Sequence, residues 1–251
     1  MPTPEALPGD RARFRLVLFD LDGTFADTAP DLAYALNQTL ERHGRAAIAF
    51  EHIRPQVSHG GAALIRLGFQ IEPGHAAFEG YRQELLDCYQ QNLSRHTSLF
   101  PGMEDLLEQM EKHGILWGIV TNKPAWLTDP LMEQLGFTGR AACIISGDTT
   151  ENRKPHPGPI LHACQMLDIA PGEALYVGDA QRDIEAGSRA GSATLAALFG
   201  YIGETDQPGQ WGANGSIDHP LQILGWLGLD LPTGHSGREE LATFQSLPEP
   251  L

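Results

Sequence analysis

The stretch Leu16-Val17-Leu18-Phe19-Asp20-Leu21-Asp22-Gly23-Thr24 carries the strongest local signal in the chain. Four consecutive apolar residues predict a short strand that is buried on both faces, as strands of parallel sheets are. Two aspartates, a glycine and a threonine come next, and residues of these types favour a turn. We therefore expect Asp20 and Asp22 at the point where a buried strand ends.

The chain alternates between helix and strand patterns from residue 103 onward. Strands are predicted over residues 115–120, 142–145, 175–177 and 194–198, and helices over 103–110, 130–135, 157–167 and 184–190. Strands that alternate with helices favour right-handed crossovers and a parallel sheet with helices on both faces. The predicted fold class is α/β, a doubly wound parallel sheet with a Rossmann-like core.

Residues 30 to 96 show no strand-like alternation and are interpreted as helical. The pattern predicts helices through Leu40, around Ile53, over 63–67 and over 78–93. We expect a small helical cap inserted after the first strand, with bounds 29–96, between core segments 13–28 and 97–228. The remainder, 229–251, is rich in Gly, Pro, Ser and Glu, and is expected to form a flexible tail.

The chain is strongly acidic, with 17 Lys and Arg against 32 Asp and Glu in 251 residues and a net charge of −15. Such a surface repels nucleic acid and anionic lipid, so neither is an expected partner. It also repels phosphorylated compounds at long range. Any phosphate site must therefore be locally positive, through a metal ion, a lysine or backbone N–H groups.

Three cysteines, an odd number, predict free thiols and a reducing compartment instead of a disulfide framework. The first residues lack the apolar run of a signal peptide. No apolar stretch approaches the roughly 20 residues that a membrane span needs. We expect a soluble cytoplasmic protein, either a monomer or a homodimer.

Polar residues follow three of the predicted strands directly, as Asp20 with Asp22, Thr121 with Asn122, and Asp179 with Asp183. Ligands of such sheets bind outside the carboxyl ends of the strands, so these pairs are expected at one edge. Several carboxylates packed together need a cation, and hard oxygen ligands suit Mg²⁺. The sequence has no Cys or His cluster with the spacing of a zinc site, so a transition metal is not favoured.

Four short motifs, in order, resemble the signature motifs of the haloacid dehalogenase-like hydrolase superfamily. They are Asp20-Leu21-Asp22-Gly23-Thr24, Thr121-Asn122, Lys154-Pro155, and Gly178-Asp179 with Asp183. The resemblance covers roughly residues 13–228. The local sequence resembles that of phosphoglycolate phosphatases more closely still. This resemblance lies in Phe19 to Thr24 with Asp27-Thr28-Ala29-Pro30-Asp31-Leu32, and in Lys154-Pro155-His156-Pro157.

The resemblance implies a Mg²⁺-dependent phosphatase that forms an aspartyl-phosphate. It makes Asp20 the nucleophile and Asp22 the general acid that later becomes the general base. Thr121 would donate a hydrogen bond to the phosphoryl oxygens. Lys154 would supply positive charge to those oxygens and to the nucleophile.

The same resemblance implies a set of metal ligands. They would be Asp20, the backbone carbonyl of Asp22, and Asp179, with Asp183 lying behind them or serving as an alternate ligand. Asp22 also argues against a dehalogenase, because that branch resembles this chain at the nucleophile but lacks the second aspartate.

The helical cap lies where the family carries a cap that excludes water and contacts the leaving group. Within it, Ser58-His59-Gly60-Gly61 resembles the cap loop that faces the active site. The candidate substrate-binding residues are Ser58, His59, Gly60 and, in the core, Asn122. Arg66 or Arg54 is the candidate for meeting a substrate carboxylate.

A narrower resemblance is to bacterial N-acetylmuramic acid 6-phosphate phosphatases. It rests on five stretches: Leu99-Phe100-Pro101-Gly102, Leu116-Trp117-Gly118 leading to Thr121-Asn122-Lys123-Pro124, Phe199-Gly200-Tyr201-Ile202, Trp211-Gly212-Ala213, and Asp218-His219-Pro220. The expected substrate is a small phosphomonoester of the phosphoglycolate or N-acetylmuramic acid 6-phosphate type.

Two alternative functions stay open. One is a sugar phosphomutase, because mutases of the superfamily share the aspartate pair and the helical cap. The other is a non-catalytic binding module on the same fold.

Overall fold

The structure is a computed structural model that describes residues 14–230. Its strands, in chain order, are β1 (Leu16–Phe19), β2 (Ala26–Asp27), β3 (Ser98–Leu99), β4 (Leu116–Val120), β5 (Cys143–Ile145), β6 (Ala174–Gly178), β7 (Ala193–Ala197) and β8 (Gly215–Ile217). Its α-helices are α1 (Ala29–Arg42), α2 (Phe50–Ile53), α3 (Gly60–Phe69), α4 (Phe78–Gln90), α5 (Met103–Lys112), α6 (Ala125–Gln134), α7 (Gly158–Met166), α8 (Gln181–Ala190) and α9 (Ile223–Trp226).

Six strands form one parallel sheet in the order β5-β4-β1-β6-β7-β8. β1 lies between β4 and β6, with Leu16 paired to Leu116 on one side and to Ala174 on the other. The chain extends the sheet from β1 through β4 and β5 in one direction, and through β6, β7 and β8 in the other. The predicted α/β fold with a parallel, Rossmann-like sheet is confirmed. The carboxyl end of β1 is the point where the strand order reverses, and such points bind ligands in α/β proteins.

β1 is fully buried because its side chains alternate between two apolar clusters, one on each face of the sheet. Val17 and Phe19 belong to the larger cluster, which also contains side chains of α1, α3, α4 and α5. Leu16 and Leu18 belong to the other cluster, together with Ile160 of α7. Helices on both faces therefore explain why this strand is a continuous apolar run instead of an alternating one.

The helices α1 to α4 are inserted between two short strands that pair with each other. β2 and β3 are antiparallel, with Ala26 opposite Leu99, so the chain leaves and re-enters the core at adjacent points. The buried carboxylate of Asp31, in α1, accepts hydrogen bonds from the backbone N–H groups of His96 at 2.9 Å and Thr97 at 2.8 Å. This carboxylate ties the beginning of the insert to its end.

Several elements differ from the prediction. α6 begins at Ala125 instead of residue 130, and Pro130 lies inside it. A proline there removes the hydrogen bond that its N–H would donate to the Trp126 carbonyl, but the helix continues on packing from its other turns. The sequence pattern predicts neither β8 nor the β2–β3 pair, because segments of two or three residues carry no readable period.

Cys88, Cys143 and Cys164 are free and buried, as predicted. Within residues 14–230, no helix combines the length and the apolar character needed to cross a bilayer. The bounds given above for the two domains stay a prediction. The expected tail, 229–251, lies outside the described residues from residue 231 on.

Gly118, in β4, is expected to be intolerant of a side chain. An added Cβ would lie 2.6 Å from Cys143 Sγ and 2.8 Å from the Cys143 carbonyl oxygen. Because the second contact is with the backbone of the neighbouring strand, relief requires the sheet itself to shift. Gly118→Ala should lower the free energy of unfolding by about 1–3 kcal/mol, as measured by urea denaturation.

Gly80, on the exposed face of α4, provides the matched control. No heavy atom lies within 4 Å of an added Cβ there. Alanine favours helix over glycine, so Gly80→Ala should raise the free energy of unfolding by about 0.5–1 kcal/mol. Effects of the same sign at both positions would contradict the packing argument.

Candidate active site

The ends of two adjacent strands and the start of a helix bring three acidic side chains together. Asp20 follows β1, Asp179 follows β6, and Asp183 lies in the first turn of α8. One carboxylate oxygen from each lies within 4.8 Å of the others, and all three residues are buried. The expected meeting of these residues at one edge of the sheet is therefore present.

Lys154 provides a cation that contacts two of these three acids. Its Nζ lies 2.8 Å from Asp20 Oδ1 and 2.8 Å from Asp183 Oδ1, and its side chain has no solvent exposure. Nζ also donates a hydrogen bond of 2.7 Å to Tyr176 Oη, which in turn donates to the Val120 carbonyl. The ammonium group thus connects Asp20 to an acid that lies far from it in the sequence.

Asn122 holds the main chain of Lys154 in place. Its Nδ2 donates to the Lys154 carbonyl at 2.9 Å, and the Lys154 N–H donates to its Oδ1 at 3.0 Å. Both polar atoms of the amide are engaged by the neighbouring loop. The structure shows Asn122 as a residue that positions Lys154, and its predicted contact with substrate stays a prediction.

The carboxylate of Asp22 is bound by a lysine and a threonine and does not belong to the acidic cluster. Its Oδ1 lies 2.6 Å from Lys123 Nζ and accepts a hydrogen bond of 2.6 Å from Thr28 Oγ1. Lys123 itself lies 4.6 Å from the centre of the Tyr89 ring in α4. The predicted metal set includes Asp22, but its side chain is not part of the described cluster. Only its backbone carbonyl remains as the implied ligand.

Two cations of this site, Lys123 and Arg182, lie outside the roles that the sequence motifs suggest. Arg182 Nη2 donates a hydrogen bond of 2.6 Å to the Ser58 carbonyl of the insert. The sequence could have indicated these two cations only by their positions, since Lys123 directly follows Asn122 and Arg182 directly precedes Asp183. Their partners come from distant segments, which no spacing rule could supply.

The surroundings favour an ionised carboxylate at Asp20. Burial by itself would raise its pKa. The charges of Lys154 and Arg182, with hydrogen bonds from Lys154 and from the Leu21 N–H, outweigh burial and lower the pKa below its ordinary value. An anionic carboxylate is the form that acts as a nucleophile.

The other two acids respond in the opposite direction. Burial, followed by the nearby charges of Asp20 and Asp183, raises the pKa of Asp179 to about 7. Burial also raises the pKa of Asp183, with Asp20 adding to the effect and Lys154 opposing it. The protein's own cations therefore do not fully offset this concentration of negative charge, which a divalent cation would do.

The backbone near Asp179 leaves no room for side chains. A Cβ at Gly23 would lie 2.2 Å from Asp179 Oδ2, and a Cβ at Gly200 would lie 2.3 Å from Asp179 Cβ. Asp179 Oδ2 also accepts hydrogen bonds from Ser58 Oγ at 2.7 Å and from the Tyr201 N–H at 2.9 Å. A carboxylate held this firmly beside two others fits a hard, oxygen-preferring ion such as Mg²⁺.

The predicted cap loop reaches this site. Ser58 contacts Asp179 directly, while His59 and Gly60 line the cleft beside Asp20. Burial and then the charge of Arg182 lower the pKa of His59, so its imidazole is neutral near pH 7. Its ring is therefore placed to offer one donor and one acceptor without adding charge.

The two arginines considered for a substrate carboxylate lie away from the cleft. Arg66 is exposed on α3, where it forms an ion pair of 2.8 Å with Glu72. Arg54 donates hydrogen bonds to the Gly200 and Phe199 carbonyls at 3.0 and 3.2 Å. Neither lines the cleft, because Arg66 lies on the outer side of its helix and Arg54 joins the insert to the loop after β7.

A cleft of about 600 Å³ opens between the helical insert and the core. Asp20, Asp22 and Thr121 line it together. The Oγ1 of Thr121 accepts a hydrogen bond of 3.1 Å from the Lys123 N–H, so its own hydroxyl proton stays available for another acceptor. Three of the four residues expected to act on a phosphate therefore face one space, while the fourth, Lys154, is buried behind Asp20.

A family model described as haloacid dehalogenase-like hydrolase matches residues 17–197. The chain belongs to this family. An N-acetylmuramic acid 6-phosphate phosphatase from Pseudomonas putida is 43% identical over 211 residues, covering 84% of this chain and 95% of that protein. A phosphoglycolate phosphatase from Xanthomonas campestris pv. campestris is 41% identical over 209 residues, covering 83% and 94%.

The fold agrees with this haloacid dehalogenase-like assignment. A solved structure from Haemophilus somnus 129PT, described as a predicted phosphoglycolate phosphatase, superposes with a TM-score of 0.76 at 26% identity and covers 85% of this chain and 97% of that one. The family, the relatives and the fold together identify the haloacid dehalogenase-like chain as a phosphoric monoester hydrolase that acts on small phosphorylated molecules.

Magnesium is expected to raise the midpoint of thermal unfolding, because a ligand that binds only the folded state stabilises that state. At about 100 times the dissociation constant the gain is about 2.7 kcal/mol, or a shift of roughly 5–10 °C. Asp179→Asn should abolish most of this shift, because the ligand loses its charge. Scanning calorimetry in MgCl₂ against NaCl at equal ionic strength measures it.

Glu108→Gln removes one carboxylate from the exposed face of α5 and serves as the control for the magnesium experiment. It should keep the full shift, because surface carboxylates bind the ion weakly. A shift that persists in Asp179→Asn and matches the control would show that the ion stabilises the protein elsewhere.

Proposed function

We propose that the protein is a Mg²⁺-dependent phosphatase that hydrolyses a small phosphomonoester through an aspartyl-phosphate on Asp20. The substrate is of the phosphoglycolate or N-acetylmuramic acid 6-phosphate type, as the names of the two relatives suggest. The observation that carries the proposal is the environment of Asp20. Its Oδ1 is held by Lys154 at 2.8 Å and by the Leu21 N–H at 2.7 Å.

Both of these contacts reach Oδ1, and none of the hydrogen bonds or ion pairs found among residues 14–230 engages Oδ2 of Asp20. One oxygen therefore orients the carboxylate while the other keeps its lone pairs for attack. The residue is nearly buried yet lines the cleft, so a phosphate that enters the cleft meets a desolvated anion.

In the first half-reaction, Asp20 forms a bond to phosphorus while the bond from phosphorus to the leaving oxygen breaks. Asp22 gives its proton to that oxygen, and the alcohol departs into the cleft. Thr121 donates its hydroxyl proton to a phosphoryl oxygen, and Lys154 offsets the negative charge at Asp20. Placement and charge stabilisation of this kind account for most of the catalysis of phosphoryl transfer.

In the second half-reaction, Asp22 takes a proton from a water molecule whose oxygen attacks phosphorus. The bond between phosphorus and Asp20 breaks, which releases inorganic phosphate and restores both carboxyl groups. The ion pair with Lys123 and the hydrogen bond from Thr28 hold the Asp22 carboxylate in place while it exchanges its proton. Two moderate barriers replace one high barrier.

The residues that would hold Mg²⁺ are Asp20, Asp179 and Asp183, with the backbone carbonyl of Asp22. When bound, the ion neutralises charge on the phosphoryl oxygens. The buried lysine lies on the same acids, so the chain already supplies part of this neutralisation.

We further propose that residues 29–96 act as a cap that closes the cleft against water. Three contacts support this role: the hydrogen bond from Ser58 to Asp179, the one from Arg182 to Ser58, and those from Arg54 to the loop after β7. Each joins the insert to the core next to the acids. Closure is thereby coupled to the state of the site.

Asp20→Asn should lower kcat for p-nitrophenyl phosphate by at least about 10³-fold, because an amide is a poor nucleophile. In the wild-type protein, a borohydride quench during turnover should reduce the acyl phosphate, and peptide mass spectrometry should find the reduction at position 20. EDTA should stop phosphate release. Normal activity of Asp20→Asn, with no modified peptide, would remove Asp20 from the mechanism.

The two alternatives predict different products. A sugar phosphomutase would return the phosphoryl group to the sugar, so a sugar phosphate would give an isomer with little free phosphate. A binding module would bind the phosphomonoester and leave it intact. Phosphate release measured together with product analysis by NMR separates the three functions.

A further inference from the structure

The core side of the cleft has a wall that the proposed chemistry does not use. It consists of the start of α6, with Trp126, and the loop after β5, with Asp148 and Arg153. Asp20, Asp22 and Thr121 account for the phosphate and its leaving oxygen. Trp126 and Arg153 line the same cleft without taking part in those steps.

The two segments of this wall are bound to each other by hydrogen bonds. The Gly147 N–H donates to the Lys123 carbonyl at 2.8 Å, and the Ala125 N–H donates to Asp148 Oδ1 at 2.8 Å. A Cβ at Gly147 would lie 2.2 Å from the Asn122 carbonyl oxygen, so the two segments are in direct contact. The segment that carries Trp126 is thus held at a set distance from the loop that carries Arg153.

Arg153 is fixed at one end and free at the other. Its Nε donates a hydrogen bond of 2.8 Å to the Gly147 carbonyl. Its two Nη groups have no carboxylate within ion-pair distance in the region spanning residues 14–230. The other cations of the cleft are already engaged by acids, as Arg82 with Glu79, Lys123 with Asp22, and Arg182 beside the acidic cluster.

An unpaired guanidinium in a cleft of so acidic a protein points to an anionic ligand. In the proposed mechanism Thr121 and the ion that the acidic cluster would hold meet the phosphate, so the arginine is left for a second anion on the leaving group. The planar fork of a guanidinium matches a carboxylate, which can accept two parallel hydrogen bonds from it.

Trp126 offers an apolar face on which a ring could stack. Its side chain is large and apolar, and the residue is 39% exposed on a polar cleft. An indole face buries the C–H face of a sugar ring while leaving the ring's hydroxyl groups at the edge in contact with water. A cleft of about 600 Å³ also lies within the range of pockets that bind ligands much larger than a two-carbon acid.

We propose that Trp126 and Arg153 form a subsite for the leaving group, and that this group is a six-membered sugar ring that carries a carboxylate. The inference rests on the proposed function and narrows its substrate class. The ring stacks on Trp126, its carboxylate pairs with Arg153, and the phosphate reaches Asp20 from the other side. Phosphoglycolate has a carboxylate but no ring, so it uses the subsite poorly.

The test compares three substrates that differ in these features. N-acetylmuramic acid 6-phosphate has both the ring and the carboxylate, N-acetylglucosamine 6-phosphate has the ring alone, and phosphoglycolate has a carboxylate alone. Arg153→Gln should lower kcat/KM for the first by about 10–100-fold, mainly through KM, and change the second by less than about threefold. Trp126→Ala should lower kcat/KM for both sugar phosphates about tenfold and spare phosphoglycolate.

Matched variants check that these effects are local. Arg189→Gln and Phe50→Ala change an exposed arginine and an exposed aromatic ring outside the cleft, and should leave all three substrates unaffected. Arg153→Lys keeps the charge but loses the fork, so it should restore only part of the loss. Both target side chains are exposed, and unchanged thermal midpoints will confirm that the variants fold.

Two results would overturn the subsite. One is an equal loss for all three substrates in Arg153→Gln and Trp126→Ala, and the other is no loss at all. Calorimetric binding of each substrate to Asp20→Asn gives an independent reading without turnover. If the sugar phosphates neither bind nor react while p-nitrophenyl phosphate is hydrolysed in an Asp20-dependent way, the subsite is wrong and the proposed phosphatase stands. If Asp20→Asn is fully active, the proposed function fails instead.

Discussion

The mutual repulsion of three buried carboxylates is the constraint on which the rest of this structure depends. Asp20, Asp179 and Asp183 lie together where water cannot screen them, and like charges so placed repel strongly. Lys154 and Arg182 offset part of that repulsion. The remainder would favour the binding of a divalent ion between these carboxylates. Because a bound cation would relieve this repulsion, the repulsion adds to the affinity of the site for such an ion.

The helical insert is connected to this same cluster. Ser58 donates to Asp179, while Arg182 lies among the acids and donates to the Ser58 carbonyl. A rearrangement of charge at the cluster would therefore change the hydrogen bonds that hold the insert. A movement of the insert would likewise change the hydrogen bonds at the cluster. The β2–β3 pair and the Asp31 contacts keep both chain connections of the insert close together. The insert is therefore joined to the core both at its chain connections and, through Ser58 and Arg54, beside the acidic cluster.

Some elements of the fold and the site could be predicted from the sequence, and others could not. The strand β1 and its aspartates could be identified because a buried parallel strand needs an unbroken apolar run, and ligands meet such strands at their carboxyl ends. The start of α6 could not, because Pro130 favours a helix start in sequence while tertiary packing lets the helix pass through it. Asn122 has a role that its residue type does not reveal, since both of its polar atoms hold the backbone of Lys154.

By itself, the sequence determined the α/β class, the order of the four motifs and the identity of the acids at the strand ends. These features depend on local periodicity and on the short reach between a strand and the turn that follows it. Only the tertiary structure decided that Asp22 faces Lys123, that Arg66 lies outside the cleft, and that an unpaired Arg153 lines it. Such contacts join segments far apart in the chain, and their partners are set by how helices and loops pack, which no local pattern records.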